Sequence, residues 1–430
     1  MSIAIAGAGR RHTGRAFAVA AAAGSLVGLV GGGFRWCLAH AEDLRASILA
    51  AAGPGPAGVL VPVALTALGA ALACAIAQGV PHAAGSGIQH VEAVWRRESE
   101  AHPLWLLPAK FFGGLVAIGS GLVLGREGPV VHMGAAIGSV AGRRARLDPG
   151  DARLLYTALG GAGLAAAFTA PLGGLLFVCE EVTRSIRPRL VLLTLVGTVS
   201  AVACSRFVVG GGAAFPVPDL VAPPVWMLGV FLVFGVTAGA LGAAYSALVV
   251  GTLAACDRLT GVPLTARAAL IGAVVGALMA VDPLLAGGGD PLSERLLAGG
   301  GMTVAALLAY LAVRFVAGPL SYAAATPGGL FAPLLALGAL WGTLAEALVS
   351  PLLPAGAASP VAFAVVGMAA LFTGVVRAPL TGVVLVAEMT NAGSLALPLL
   401  TACFAAHVTA DRWGSEPIYD SLRRRMLQRP

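Results

Sequence analysis

Three short segments of this chain place glycine directly before an apolar stretch, a pattern that suits anion binding. They are GSGIQ at residues 85–89, GREGP at 125–129 and GGLFAP at 328–333. Glycine lets the backbone turn sharply, and the first N–H groups of the following helix have no partner within that helix. These amides and the positive end of the helix dipole bind an anion without a fixed positive charge. An ion held in this way is also able to leave, as transport requires.

Each glycine segment has a plainer interpretation, because glycine also lets membrane helices pack closely. Ser86, between two glycines, is either a turn hydroxyl or a ligand that donates a hydrogen bond to an anion. Three such segments in one chain favour the functional interpretation.

Glu127 is the carboxylate with the strongest indication of function. A carboxylate within an apolar stretch is costly unless it is paired or protonated. A structural pair with Arg126 is the alternative, although adjacent helical residues do not face each other. Beside an anion-binding helix start, an ionised carboxylate imitates the anion and a protonated one vacates the site. We therefore predict that Glu127 couples protons to anions.

Glu180 and Glu181 end the uncharged run 154–179 and precede Arg184. One interpretation is a surface pair between Glu180 and Arg184, which are four residues apart. The other is that one glutamate passes protons between the cytoplasm and the membrane interior. Tyr419, close to Trp413, is by position typical of an interfacial aromatic.

The composition sets the elements that must position these residues. Charged residues make up 11% of the 430 residues, against roughly 25% in soluble proteins, and 58% are hydrophobic. The uncharged runs 46–91, 154–179, 220–256 and 315–345 each exceed the roughly 20 residues that cross a bilayer as a helix. The sequence therefore predicts an all-α polytopic membrane protein.

Basic residues cluster at the chain ends and at junctions between apolar segments. The net charge of +7 therefore does not indicate nucleic acid as a partner. Arginines before the first apolar stretch and after the last predict cytoplasmic termini and an even number of crossings. The histidines, His90 and His132 among them, show no metal-ligand spacing, so we assign them no chemistry and predict no metal and no cofactor.

An internal repeat divides the chain. An offset of 204 residues aligns segment 110–114 with 314–318 and Gly125 with Gly329, and an offset of 208 aligns 170–180 with 378–388. We predict an N-terminal segment 1–15, a repeat 16–210, a linker 211–224, a repeat 225–415 and a C-terminal segment 416–430. Helix breaks at corresponding positions of two repeats are typical of transporter sites near the bilayer midplane.

In combination, these motifs resemble the CLC family of chloride channels and chloride/proton antiporters over nearly the whole chain. KFFGG at 110–114, the Ala-Pro-Leu segments at 170 and 378, and Pro-Ile-Tyr at 417–419 strengthen the resemblance. It implies two inverted-topology repeats of tilted, discontinuous helices, and a homodimer with a separate pore in each subunit.

The resemblance also implies roles for individual residues. Ser86 and Tyr419 would supply hydroxyls to the central anion, and the amides of Leu330 and Phe331 would complete its site. Glu127 would be the extracellular-side gating carboxylate, and Glu181 matches the intracellular proton-transfer glutamate of the antiporters. The rest of the expected anion-binding set is Gly87, Ile88, Arg126 and Gly128.

One residue departs from the family pattern: Gln89 stands where the first signature has proline, which frees a backbone N–H. Serine at position 86 resembles the members that prefer chloride, whereas nitrate-preferring members have proline there. The fluoride-exporting branch fits less well, because it departs from the GREGP and serine patterns.

We therefore expect secondary active exchange of chloride for protons across a lipid bilayer. A passive voltage- or pH-gated chloride channel is the alternative, and Glu181 favours exchange. A polytopic enzyme is disfavoured, since no nucleophile–base set or metal cluster accompanies the glycine segments. Only residues 420–430 follow Tyr419 in this sequence, which leaves no room for C-terminal CBS modules and predicts a multi-pass protein of a prokaryotic inner (plasma) membrane.

Overall fold

A computed structural model describes residues 2–101, 104–217, 220–354, 357 and 359–428, with side chains from residue 14 onward. The outermost residues of the two predicted terminal segments and part of the predicted linker lie outside these ranges. In the described part, the first half contains α1 (Ser2–Ala52), α2 (Pro56–Gln78), α3 (Ile88–Trp95), α4 (Leu106–Gly119), α5 (Glu127–Arg144), α6 (Pro149–Phe168), α7 (Pro171–Phe177) and α8 (Pro188–Val209). The second half contains α9 (Leu228–Asp257), α10 (Leu264–Val281), α11 (Asp290–Leu297), α12 (Val304–Tyr322), α13 (Phe331–Val349), α14 (Pro360–Val376), α15 (Pro379–Thr390) and α16 (Ala396–Arg412), and α17 (Ile418–Gln428) follows.

Eight of these helices, counted over the described residues, are long and apolar enough to cross a membrane. They are α1 from residue 14 onward, α2, α8, α9, α10, α12, α13 and α16. The predicted all-α polytopic membrane architecture is confirmed. No proline interrupts residues 2–52, and α1 accordingly continues through the predicted N-terminal segment.

The internal repeat is structural as well as sequential. Helices α5 and α13 begin at Glu127 and Phe331, the pair of positions that the offset of 204 aligns. Helices α7 and α15 begin at Pro171 and Pro379, which the offset of 208 aligns. Equivalent helices also make equivalent contacts, since α1 packs on α8 as α9 packs on α16, and α5 packs on α6 as α13 packs on α14.

Small residues allow these helix pairs to approach closely. A Cβ atom added to Gly134 of α5 would lie 2.3 Å from the carbonyl oxygen of Leu159 in α6. At the equivalent position in α13, a Cβ on Gly338 would lie 2.4 Å from the carbonyl oxygen of Gly367 in α14. Backbone contact of this kind replaces the hydrophobic driving force that lipid does not supply between helices.

A reciprocal pair of carboxylates joins the two halves. Glu180 accepts hydrogen bonds from the N–H groups of residues 380 and 381, at 3.1 and 2.7 Å. Glu388 accepts from the N–H groups of residues 172 and 173, at 3.2 and 2.7 Å. Each glutamate thus caps the start of a helix in the other half, where the helix dipole favours negative charge. The surface pair of Glu180 with Arg184 is therefore wrong, because Glu180 is engaged by α15 instead.

Candidate anion and proton site

The three glycine segments meet through backbone hydrogen bonds. The Gly125 N–H donates to the Gly329 carbonyl at 2.7 Å, and the Gly329 N–H donates back to the Gly125 carbonyl at 2.8 Å. The Gly85 N–H donates to the Thr326 carbonyl at 2.9 Å, and the Gly328 N–H donates to the Gly85 carbonyl at 3.2 Å. The starts of α3, α5 and α13 are thereby held together in one arrangement, which we term the glycine cradle (residues 85–88, 125–128 and 328–331).

Ser86 lies buried in the glycine cradle with its hydroxyl oriented by local contacts. Its oxygen accepts a hydrogen bond from the Ile88 N–H at 3.3 Å, and its own N–H donates to the Tyr322 hydroxyl at 3.3 Å. A Cβ on Gly128 would lie 2.7 Å from the Ser86 hydroxyl oxygen, so α5 approaches this serine directly. Because the oxygen accepts from the backbone, the hydroxyl proton can be directed at an anion.

Gly87 precedes α3 in the left-handed region, with φ of +88°, where a side chain would be strained. Gln89 follows in the first turn of α3 and is buried. The helix therefore forms without the proline of the family signature, and its start remains directed into the glycine cradle.

The Glu127 carboxylate lies at the start of α13. It is fully buried, and its Oε2 atom accepts from the Ala332 N–H, in the first turn of α13, at 3.4 Å. A Cβ on Gly125 would lie 2.2 Å from the same oxygen, so the carboxylate rests over a glycine that leaves room for it. The other carboxylate oxygen, Oε1, makes no hydrogen bond with the described residues. The side chain thus places negative charge at an open helix start.

Tyr419 is fully buried, so its interpretation as an interfacial aromatic is wrong. Its ring stacks on Phe331 with the centroids 6.3 Å apart, and Leu330 and Phe331 form the buried start of α13. The Tyr419 hydroxyl lies close to the Ser86 side chain, but the two do not form a hydrogen bond of good geometry. Phe168, Phe177 and Phe372 complete an aromatic cluster around Phe331.

Arg126 does not pair with the adjacent Glu127. Its guanidinium donates to the Asp290 carboxylate at 2.5 Å, at the start of α11. Both residues line a cavity of about 940 Å³, and Arg35 and Glu42 also face it. Because its guanidinium is paired with Asp290, Arg126 can contribute to anion binding through its backbone N–H and through the long-range field of its charge.

Glu181 lies in a π-helical turn, Val178–Val182, that continues α7. Turns of this kind frequently occur at functional sites. The carboxylate is buried and its Oε1 atom makes no hydrogen bond with the described residues. Its electrostatic neighbours are Glu92, Arg184, Asp420 and Glu180.

Asp420 connects the surroundings of Glu181 to α17. It accepts from Arg184 at 2.5 Å and from Arg423 at 3.0 Å, and it lies 3.4 Å from Arg96. Burial opposes the charge on Asp420, but the hydrogen bonds from Arg184 and Arg423 hold its pKa below the ordinary value. The network ties together the elements that carry Ser86, Glu181 and Tyr419.

Two buried cations, Lys110 and Arg314, were assigned no role from the sequence. The Lys110 ammonium donates to the Gly85 carbonyl at 2.7 Å. The Arg314 guanidinium donates to the carbonyls of Ala286 and Gly287, both at 3.0 Å. The signal was present, because the offset of 204 aligns Lys110 with Arg314, and a charge inside an apolar helix indicates a function by default.

The comparisons with known proteins agree with this geometry. Residues 68–411 match the family model described as voltage gated chloride channel. The chain is 36% identical over 424 residues to the H(+)/Cl(-) exchange transporter ClcA of Vibrio parahaemolyticus, covering 95% of this chain and 89% of the relative. It is 35% identical over 420 residues to the ClcA exchange transporter of Klebsiella pneumoniae (strain 342), covering 95% and 88%.

Solved structures share the fold. A slow cyanobacterial Cl-/H+ antiporter superposes with a TM-score of 0.90 at 30% identity, covering 96% of this chain and 98% of that chain. A CLC-type fluoride/proton antiporter superposes with a TM-score of 0.77 at 20% identity, over 93% and 95% of the two chains, which supports the fold alone. The predicted fold of two inverted-topology repeats is confirmed, and the chain belongs to the CLC family of voltage gated chloride channel proteins.

Proposed function

We propose that this protein exchanges chloride for protons across a membrane, with the anion bound in the glycine cradle. The observation that carries the proposal is the Glu127 carboxylate at the start of α13, where it accepts from a backbone N–H. Glu127 is then both the negative group at a helix start that favours anions and the group that accepts a proton. The names of the relatives, which are exchange transporters, support exchange over passive conduction.

The chemistry of the exchange follows from competition for one helix start. Ionised Glu127 satisfies the open amides of α13, and chloride is excluded from that position. When Glu127 takes a proton, its neutral carboxyl loses most of the attraction of the helix dipole, and chloride replaces it. Ser86 and Tyr419 donate hydroxyl hydrogen bonds to the bound chloride, and the amides of Leu330 and Phe331 complete its coordination.

The route of the proton to the cytoplasm requires a second carrier, for which Glu181 is the candidate. It is buried near the Asp420 network, and Tyr419 lies within electrostatic reach of both Glu127 and Glu181. The arginines of the network provide compensation when Glu181 is ionised. Proton and chloride thus share the region around Tyr419 and separate on the cytoplasmic side.

The protein is proposed to be a homodimer in the inner (plasma) membrane of a prokaryote, with both termini cytoplasmic. Eight candidate spans, an even number over the described residues, support termini on one side. Helix α8 packs on α7, α7 packs on α15 and α15 packs on α16, and these four helices expose large apolar side chains. These are Leu172, Leu192, Val199, Phe207, Leu380, Leu397, Leu400 and Phe404, and they support a contact with a second copy.

Purified protein in liposomes tests the exchange. We expect an imposed chloride gradient to drive protons against a proton gradient, measured with a pH electrode and a chloride electrode together. Glu127→Gln fixes a neutral side chain at the start of α13, so we expect chloride flux to continue without proton movement. Glu346→Gln, a half-buried glutamate elsewhere in α13, is the matched control and should keep the coupling.

Two outcomes would contradict the proposal. Chloride flux without proton movement in the wild type would make the protein a passive channel. Proton pumping that persists in Glu127→Gln would remove Glu127 from the coupling mechanism.

A further inference from the structure

A buried cluster of histidines lies behind the glycine cradle and has no part in the exchange described so far. His90 in α3 and His132 in α5 are almost fully buried, and the Nδ1 atom of His90 lies 3.1 Å from the Nε2 atom of His132. The Tyr156 hydroxyl of α6 lies 3.3 Å from His90 Nδ1, and the Ser99 hydroxyl lies 3.2 Å from His90 Nε2. A hydrogen-bonded chain thus runs from half-exposed Ser99 to His132.

The inner end of this chain packs against the anion-binding backbone. A Cβ on Gly87 would lie only 2.2 Å from the Nδ1 atom of His132. Gly87 directly follows Ser86, and His132 lies on the same helix as Glu127. A positive charge on this histidine pair would therefore lie just behind the segment that holds the anion.

His90 of the pair also borders a cavity that reaches the glycine cradle. This cavity has a volume of about 280 Å³, and His82, Gly85, Gly87 and His90 line it. The rings of His82 and His90 stack with their centroids 5.1 Å apart. An anion in this cavity would lie near His82 and His90, and His132 contacts the Gly87 backbone at the edge of the same cavity.

Charged groups from other helices influence whether the His90–His132 pair is protonated. Arg267 of α10, Arg425 of α17 and Asp257 of α9 face the cavity, and Arg425 pairs with Asp257. Lys110 of α4 binds the Gly85 carbonyl. These cations and burial oppose a proton on the pair, whereas Asp257 and a bound anion favour it.

We propose that the His90–His132 pair takes up a proton when an anion binds in the glycine cradle, as a further proton site besides Glu127 and Glu181. Anion and proton stabilise each other across the Gly87 segment, and by linkage each raises the affinity for the other. The inference rests on the proposed anion site and revises the sequence interpretation, which gave the histidines no role.

Calorimetry on a protein that lacks both glutamates tests the proposal. In the Glu127→Gln/Glu181→Gln background, chloride binding is measured in buffers of different ionisation enthalpy, which gives the number of protons taken up per chloride. At about pH 6.5 to 7.5, within the ordinary titration range of histidine, we expect a positive uptake. It should fall to zero after His90→Gln or His132→Gln, whereas His407→Gln in α16 is the matched control and should keep it.

The affinity itself supplies a second measurement that needs no histidine variant. In the same background, chloride affinity should weaken as the pH rises through this range. A flat affinity profile, or no proton uptake although chloride binds, would overturn the proposal. A histidine variant that weakens chloride binding equally at every pH with unchanged uptake would reduce the pair to a packing role. Absence of chloride binding in the wild type would instead refute the proposed anion site.

Discussion

At the residue scale, hydroxyls and carboxylates differ in what they contribute to the site. Ser86 accepts from the Ile88 N–H, which orients its oxygen and leaves its proton to donate. Tyr419 is buried against Phe331, so its hydroxyl is held by packing. Glu127 and Glu181 each have one oxygen without a hydrogen bond to the described residues, a costly state for a buried ionised group. Protonation would remove this cost, and it is the event that the proposed exchange requires.

Loss of either hydroxyl should weaken anion binding moderately. Ser86→Ala and Tyr419→Phe each remove one neutral hydrogen bond, worth about 0.5 to 1.5 kcal/mol, while the backbone amides remain. We expect chloride affinity, measured by calorimetry, to fall by about 2- to 12-fold for each variant. Ser47→Ala, at an exposed serine of α1, is the control. Unchanged affinity in both variants would show that neither hydroxyl binds the anion.

The adjacent residues Glu180 and Glu181 should differ in function. Glu181→Gln removes the proposed cytoplasmic proton carrier but leaves the glycine cradle intact, so we expect proton transport to stop while the chloride pathway survives. Glu180→Gln changes the cap of α15 and should retain proton coupling. The measurement is proton flux driven by a chloride gradient in liposomes. Full coupling in Glu181→Gln would assign the carrier role elsewhere.

At the element scale, the site depends on helices that start inside the protein. Helices α3, α5 and α13 all begin at the glycine cradle, and the hydrogen bonds between Gly125 and Gly329 fix two of these starts relative to each other. Lys110 and Arg314 anchor equivalent glycine loops in the two halves by binding their carbonyls. Rigid backbone, rather than mobile charged side chains, would therefore provide most of the proposed anion site.

Gly125 should be intolerant of even one methyl group. In Gly125→Ala the Cβ would meet the Glu127 carboxylate at 2.2 Å and the Ala332 nitrogen at 2.9 Å, so the carboxylate must leave the start of α13. We expect weakened proton coupling in liposomes, and overpacking should lower the stability by about 1 to 3 kcal/mol. Gly251→Ala, where a Cβ meets nothing within 4 Å, should be neutral on both measures. Wild-type coupling in Gly125→Ala would contradict the assigned position of Glu127.

At the scale of the whole molecule, a pseudo-twofold relation governs how the halves meet. Gly125 and Gly329 exchange hydrogen bonds reciprocally, and Glu180 and Glu388 each cap a helix of the opposite half. The two repeats therefore share one interface, and the proposed anion site draws residues from both halves. A single transport unit must include both halves.

The reciprocal caps should both contribute to stability because each carboxylate accepts two backbone N–H groups at a helix start, and Glu180 accepts the Thr381 hydroxyl as well. Glu180→Gln and Glu388→Gln each remove a negative charge from a helix start, an effect of about 0.3 to 2 kcal/mol. We expect similar decreases in thermal stability for the two variants in detergent. Glu100→Gln, at an exposed glutamate, should leave the melting temperature unchanged. A large decrease in one variant and none in the other would argue against equivalent roles.

The sequence by itself determined the class of fold, the repeat and the segments of the site. Uncharged runs longer than a bilayer span exclude a soluble fold. Segments that combine glycine and proline mark helix starts, so GREGP and GGLFAP could be recognised from the local sequence alone. The repeat offset located equivalent breaks without any knowledge of their contacts. These properties depend on neighbours along the chain, which the sequence lists directly.

Only the tertiary structure decided which side chains face each other. The partner of Arg126 proved to be Asp290, and Glu180 and Arg184, whose pairing was one of two interpretations of the sequence, bind α15 and Asp420 instead. Tyr419 became a buried neighbour of Ser86, and His90 joined His132 behind Gly87. Such pairs form across 40 to more than 300 residues of chain, where the packing of helices, and not local spacing, sets the distance between two side chains.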